Sequence, residues 1–147
     1  MVTFTTEKLL TFTPAQALAI SINNALSLNL HPDYVDFTVK QALDAKRALV
    51  EVVASQSEPN TLDPKVKNKG QVVLRRIDLV EFFGMNYRID YDKAIHTRDV
   101  ARIITDRTGI LFDDRDFVDA VLTPGANVLT AHAQSLRWVG SLTIVSA

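Results

Sequence analysis

The chain contains no cysteine. Disulfide staples, cysteine zinc sites and thiol nucleophiles are therefore excluded. Its 147 residues include five glycines, none grouped, so neither the dinucleotide loop nor the P-loop is present. No Gly-x-Ser-x-Gly elbow presents a serine nucleophile. Charge of one sign is also lacking. The 16 Lys and Arg nearly cancel the 17 Asp and Glu, which argues against a generally basic nucleic-acid binder. No run approaches the roughly 18 apolar residues of a membrane helix. The start, Met1 to Glu7, has no basic stretch followed by an apolar one, so no secretory leader is expected. What is present is an apolar fraction of 47%, the level of a packed protein and too high for a disordered one.

Thr13-Pro14 opens the first element. A threonine hydroxyl accepts from a free backbone N–H, and proline at the next position lacks only an N–H that would have been orphaned. Leu18, Ile22, Ala25 and Leu26 follow at helical spacing, predicting a helix over 14–27. Asp33-Tyr34-Val35-Asp36 reads as a short acidic turn. Strands are expected at 37–39 and 48–54, joined by a hairpin at Asp44–Arg47. The polar stretch 55–69 reads as the longest loop and the part expected to move. A strand from Gly70 to Leu74 follows, then a short helical turn closed by Gly84, then an alternating strand over 85–91. Thr97 reads as the cap of a second helix ending at Gly109, and strands at 127–133 and 139–145 close the chain.

The two halves repeat one order of parts. Asp33-Tyr34-Val35-Asp36 matches Asp116-Phe117-Val118-Asp119, Ala48–Ala54 matches Asn127–Ala133, and Gly70–Leu74 matches Gly140–Ile144. The expected fold is α+β: two related units, 1–76 and 77–147, each packing a helix on a small, mostly antiparallel sheet. A unit of this size buries too little surface to be secure alone, and pairing two relieves that. The expected core comprises Leu18, Ile22, Leu26, Val50, Val52, Val72, Leu74, Leu79, Phe82, Ile103, Ile104, Val128, Leu142 and Ile144.

Candidate chemistry is sparse. Asp113, Asp114 and Asp116, with Asp119 nearby, group carboxylates as a hard cation would want them. The calcium-loop pattern is absent, however, and Arg115 sits inside the group. Helix capping by Asp113 or Asp114, with Arg115 pairing locally, is the plainer expectation; a metal-assisted hydrolase using Asp113, Asp114 and Asp116 is the alternative. His31, His96 and His132 are too far apart in sequence to share a helix face as metal ligands. Lys65, Lys67 and Lys69, followed by Arg75 and Arg76, form the main basic concentration. It is a candidate contact for a protein partner or, as another alternative, for nucleic acid. No aromatic residues interleave there for base stacking. Trp138 is expected in the core, or at an interface should it prove exposed. No catalytic residue, metal ligand or cofactor is assigned.

Three stretches together carry a family likeness. Arg76-Ile77-Asp78-Leu79-Val80-Glu81-Phe82-Phe83-Gly84 resembles the R-x-D-L-x-x-L-F-G segment of a small α+β domain in virion structural proteins of large tailed bacteriophages. Thr97 to Asp119 resembles the part that follows. Ser135-Leu136-Arg137-Trp138-Val139-Gly140-Ser141-Leu142-Thr143 resembles its closing S-L-x-aromatic-x-G-S-x-T-V strand. Phe82 stands where that pattern has leucine. The resemblance covers mainly 72–145 and implies a virion component of head, neck, tail or baseplate, made in the host cytoplasm. Such a component acts through interfaces with other virion proteins and copies of itself, away from membranes. Lys65, Lys67, Lys69, Arg75, Arg76, Trp138 and the open sheet edges are the expected contact elements.

Overall fold

The computed structural model describes residues 3–26, 30–31, 35–54 and 69–146. The Asp33-Tyr34 part of the acidic turn and loop residues 55–68 lie outside them. Among the described residues the fold is α+β, with three helices and three small sheets. None of these helices is long and apolar enough to cross a membrane.

The first sheet has the order β1-β4-β3-β2 and consists of β1 (Thr3–Thr5), β2 (Val35–Ala42), β3 (Arg47–Ala54) and β4 (Lys69–Arg75). β1 runs parallel to β4, with Phe4 opposite Leu74. β3 is antiparallel to both neighbours, with Val50 opposite Val72 on one side and Val39 on the other. The hairpin turn is fixed by Asp44, whose carboxylate accepts from the Lys46 and Arg47 amides at 3.0 and 2.7 Å. The Arg47 donors hold that carboxyl far below its ordinary range. Helix α1 (Pro14–Leu26) starts at a reciprocal box. The Gln16 amide donates to Thr13 Oγ1 at 3.3 Å and the Thr13 amide to Gln16 Oε1 at 3.1 Å.

Past Arg76 the chain forms β5 (Ile77–Asp78), α2 (Leu79–Phe83), β6 (Tyr87–Arg88), α3 (Thr97–Thr108), β7 (Asn127–Thr130), β8 (Trp138–Val139) and β9 (Ser141–Val145). β5 pairs with β8 in a two-stranded parallel sheet, and the third sheet has the order β6-β9-β7. The expected strand over 85–91 is held in a sheet only at Tyr87 and Arg88, parallel to β9. The expected strand over 139–145 is broken at Gly140, which divides it between two sheets.

Two apolar clusters follow this division. One gathers Leu18, Ile22, Phe37, Val50 and Leu74; the other gathers Leu79, Ile104, Leu129, Trp138 and Leu142. Each fully buried aliphatic side chain contributes about 1.5–3 kcal/mol. Leu136 crosses back into the first cluster, and Leu10 packs against the second.

Four expectations are corrected. Leu26, Phe82 and Val128 are 45%, 39% and 52% exposed. In β7 it is Asn127 and Leu129 that point inward, because the Asn127 amide is anchored to Thr123 and Tyr91. α2 is one turn long, so Leu79 fills the core while Phe82 meets Trp138 edge-on from the rim. Thr97 does not cap α3. The cap is His96, whose amide donates to Asp99 Oδ2 at 2.9 Å. Thr97 is buried, and its hydroxyl donates to the Val118 carbonyl at 2.9 Å.

Candidate functional site

Residues 76–84 and 135–143 come together at a joint between the two apolar clusters. The Ile77 amide donates to the Arg137 carbonyl at 2.6 Å, and β5 lies beside β8. Arg76 is buried, and its Nη1 donates to the Ala133 and Ser135 carbonyls at 3.1 and 3.3 Å. Asp78 caps α2 through the Val80 and Glu81 amides at 2.9 and 3.2 Å.

Arg137 is fully buried and spreads its guanidinium between the segment holding Leu9 and Phe12 and the carbonyl of Leu111. Its Nη2 donates to Leu9 and Phe12, its Nη1 to Leu111 and its Nε to the Thr6 hydroxyl, all within 2.9–3.2 Å. A planar fork with five donors suits this, where a lysine point charge would not. Asp116 is equally buried. It accepts from Ser135 Oγ at 2.8 Å and from the Asp113 amide at 2.9 Å. Burial, with Asp113 beside it, pushes the Asp116 carboxyl up to about 7. Asp113 is also raised by burial, and desolvation lowers both Arg76 and Arg137 from the usual guanidinium value.

The joint also closes a sheet edge. The Gln134 side chain lies against β2 like a short strand. Its Nε2 donates to the Val39 carbonyl at 2.8 Å, and its Oε1 accepts from the Val39 amide at 2.9 Å. Arg115 Nη1 donates to the Phe37 carbonyl at 2.6 Å. The Phe37 carbonyl and both backbone groups of Val39 on the outer side of β2 are thus occupied from within the chain, so this stretch of edge is not open.

A cleft of about 530 Å³ opens beside α3. Thr97, Arg98, Ala101, Arg102 and Thr105 form one wall, and residues 111–114 with Phe117 and Asp119 form the other.

The residues named from sequence separate. Lys65 and Lys67 lie outside the described residues. Lys69 begins β4, and Arg75 is exposed on it opposite Arg47. Arg76 and Trp138 are core groups, so neither presents its side chain to a partner. Arg76 parts from its exposed neighbour Arg75 because the Ala133 and Ser135 carbonyls hold its guanidinium inside. Trp138 packs with Phe82, Phe83 and Phe112. The acidic group is divided too. Asp113 closes a turn through the Arg115 amide at 3.0 Å and caps no helix, and Arg115 reaches Phe37 instead of a neighbouring carboxylate. Among the described residues no three His, Asp or Glu side chains gather as metal ligands. His96 faces Asp119 at 3.9 Å, and His132 Nδ1 accepts from the Gln134 amide at 3.0 Å.

Sequence reasoning missed Arg137, Gln134, Arg115 and Ser135 as a set. The available signal was Arg137 itself, a charged residue between Leu136 and Trp138 in an apolar closing stretch.

The chain belongs to a family of unknown function, DUF7941, whose profile matches residues 8–147. No curated protein and no solved structure matches it.

Proposed function

We propose that the chain is a non-enzymatic structural component of a tailed-bacteriophage virion, carrying one α+β plan twice and working through protein–protein interfaces. The observation that carries the reading is the convergence of the two stretches with the family likeness. Positions 76–84 and 135–143 are far apart in sequence, yet their Arg, Asp, Trp and Gly positions hold one another in place. The likeness therefore lies in a built corner of the fold, where Arg76 Nη1, the Asp78 carboxylate and the Arg137 Nη atoms are engaged with backbone, while Arg76 Nε and Trp138 Nε1 are buried without a partner.

The strand registers support the duplication. β1 is parallel to β4 as β6 is to β9, with Phe4 opposite Leu74 and Tyr87 opposite Ile144. Val50 faces Val72 as Leu129 faces Leu142. Val52 pairs with Gly70, and the Ala131 amide bonds the Gly140 carbonyl. Phe37 faces Val52, and Phe117 bridges Ala131, the trace of a fourth strand. The same offset that carries Phe4 to Tyr87 carries the Thr13–Gln16 cap to His96–Asp99. Asp36-Phe37 thus aligns with Asp116-Phe117, three residues from the match made on Asp33-Tyr34. The second copy has the shorter connection between its last two strands.

Quantitative mass spectrometry of purified particles tests the role. Presence at a decoration-scale count supports a head component, and a handful of copies supports neck, tail or baseplate. Absence from particles overturns the reading.

A further inference from the structure

We propose that the cleft beside α3 receives the first unit of a second copy of this chain, repeating between chains the contact that the second unit makes on the first within one chain. The proposal rests on the duplicated plan argued above and names the partner of that plan.

The cleft is the counterpart of a covered face. Under the alignment, Thr97, Ala101, Thr105, Phe117 and Asp119 correspond to Pro14, Leu18, Ile22, Phe37 and Val39, all buried in the first unit. What engages that face is the second unit: Leu136 joins its apolar cluster, Gln134 takes both backbone groups of Val39, and Arg115 takes the Phe37 carbonyl. In the second unit Thr97, Ala101 and Phe117 are buried in their turn, and the corresponding face opens into the cleft at half-buried Thr105 and exposed Asp119.

The backbone there has the same polarity. The Asp116 carbonyl accepts from the His132 amide and the Val118 amide donates to the Thr130 carbonyl, so the bonds toward β7 fall on alternate residues. The backbone groups of Phe117 therefore face away from β7, as those of Phe37 face away from β3. The chain's own donors, Arg115 and Gln134, are already engaged on its first unit, so the donor for this cleft comes from another copy.

Charge favours the first unit as occupant. Residues 1–76 carry nine Lys and Arg against seven Asp and Glu, and residues 77–147 carry seven against ten. Asp113, Asp114 and Asp119 line one wall of the cleft. On the other, Arg98 and Arg102 replace Ala15 and Ala19, so the contact between chains is more polar than the one within a chain and is screened by salt. A head-to-tail contact of unlike faces is not used up in a pair, and it grows past a dimer unless its rotation closes a ring.

Sedimentation velocity of the full chain across a concentration series, at low and at high salt, decides it. The expected result is mass rising through dimer to larger species at low salt and falling back at high salt. Asp114→Lys and Asp119→Lys, both at exposed positions in the cleft, are each expected to raise the concentration needed at least tenfold, while Lys93→Glu, outside the cleft, leaves it unchanged. A monomer under all conditions would make the polar face a terminal cap of the kind that ends repeat arrays, and the proposal falls. A dimer that never extends, or association indifferent to both cleft variants, overturns it equally. Those outcomes leave the virion reading standing, since that reading fails only when particles lack the chain.

Discussion

Asp78 and Gly140 are 62 residues apart in the chain, yet a Cβ built on Gly140 would stand 2.9 Å from Asp78 Oδ2. Gly140 also has φ +86°, a region that L side chains rarely adopt. Together these demand glycine where the closing stretch passes from β8 to β9. Gly140→Ala is expected to cost about 2–4 kcal/mol through strain and displacement of the Asp78 cap. Gly70→Ala, at the matching register position with open space around it, is expected to change stability by less than about 1 kcal/mol. Urea melts of the two variants check the contrast, and equal losses would refute it.

Arg137 supports a second prediction. Removing its guanidinium leaves the carbonyls of Leu9, Phe12 and Leu111 without those donors inside the joint. Arg137→Ala is expected to lose about 3–5 kcal/mol. Arg137→Lys recovers only part of that, because an ammonium cannot span carbonyls on both segments. Thermal melts of both variants provide the measurement.

Asp116 gives the stability a pH dependence of unusual sign. Its folded-state pKa of about 7 lies above the ordinary carboxylate value of 3.8. Between these values the folded chain keeps a proton that the unfolded chain releases. The resulting stabilisation is complete below about pH 4 and is lost as pH rises through 7, at up to about 1.4 kcal/mol per unit. Asp113, raised in the same direction, adds to the slope at its acidic end. Asp116→Asn is expected to flatten the profile between about pH 4 and 7, the span in which the folded chain holds a proton that the unfolded chain has released. Denaturant titrations across that range check it, and an unchanged slope would count against the assignment.

Gln134 makes a local prediction. Gln134→Ala uncovers both backbone groups of Val39 and is expected to cost about 1–2 kcal/mol. Hydrogen exchange should quicken at the Val39 amide while the Val50 amide, inside the β3–β4 ladder, stays protected. Uniform acceleration of both would mean that Gln134 supports the whole sheet.

Local chemistry made much of this architecture readable. The Thr13-Pro14 start, the valine-rich β3, the Asp44 turn and Gly109 at the end of α3 each announce themselves through a backbone requirement a single residue meets. Phase was harder. Asn127-Val128-Leu129 alternates either way by composition, and only the distant Tyr91 hydroxyl and Thr123 decide that Asn127 turns inward. The joint was hidden for a related reason. Arg137, Asp116 and Gln134 act on backbone carbonyls and amides, which look alike at every position, so their partners are set by the folded path of the chain. The cleft left no local signature either, because its walls come from a helix and a loop that meet only after folding.

The seal that Gln134, Arg115 and Leu136 place on the first sheet and its apolar cluster has a consequence during synthesis. All three are translated long after β2 and α1 have left the ribosome, so the nascent sheet waits with bare backbone at Phe37 and Val39 and a gap in its interior. Chains cut short before residue 134 would stay in that adhesive state, which ends only once Arg115, Gln134 and Leu136 have all been made.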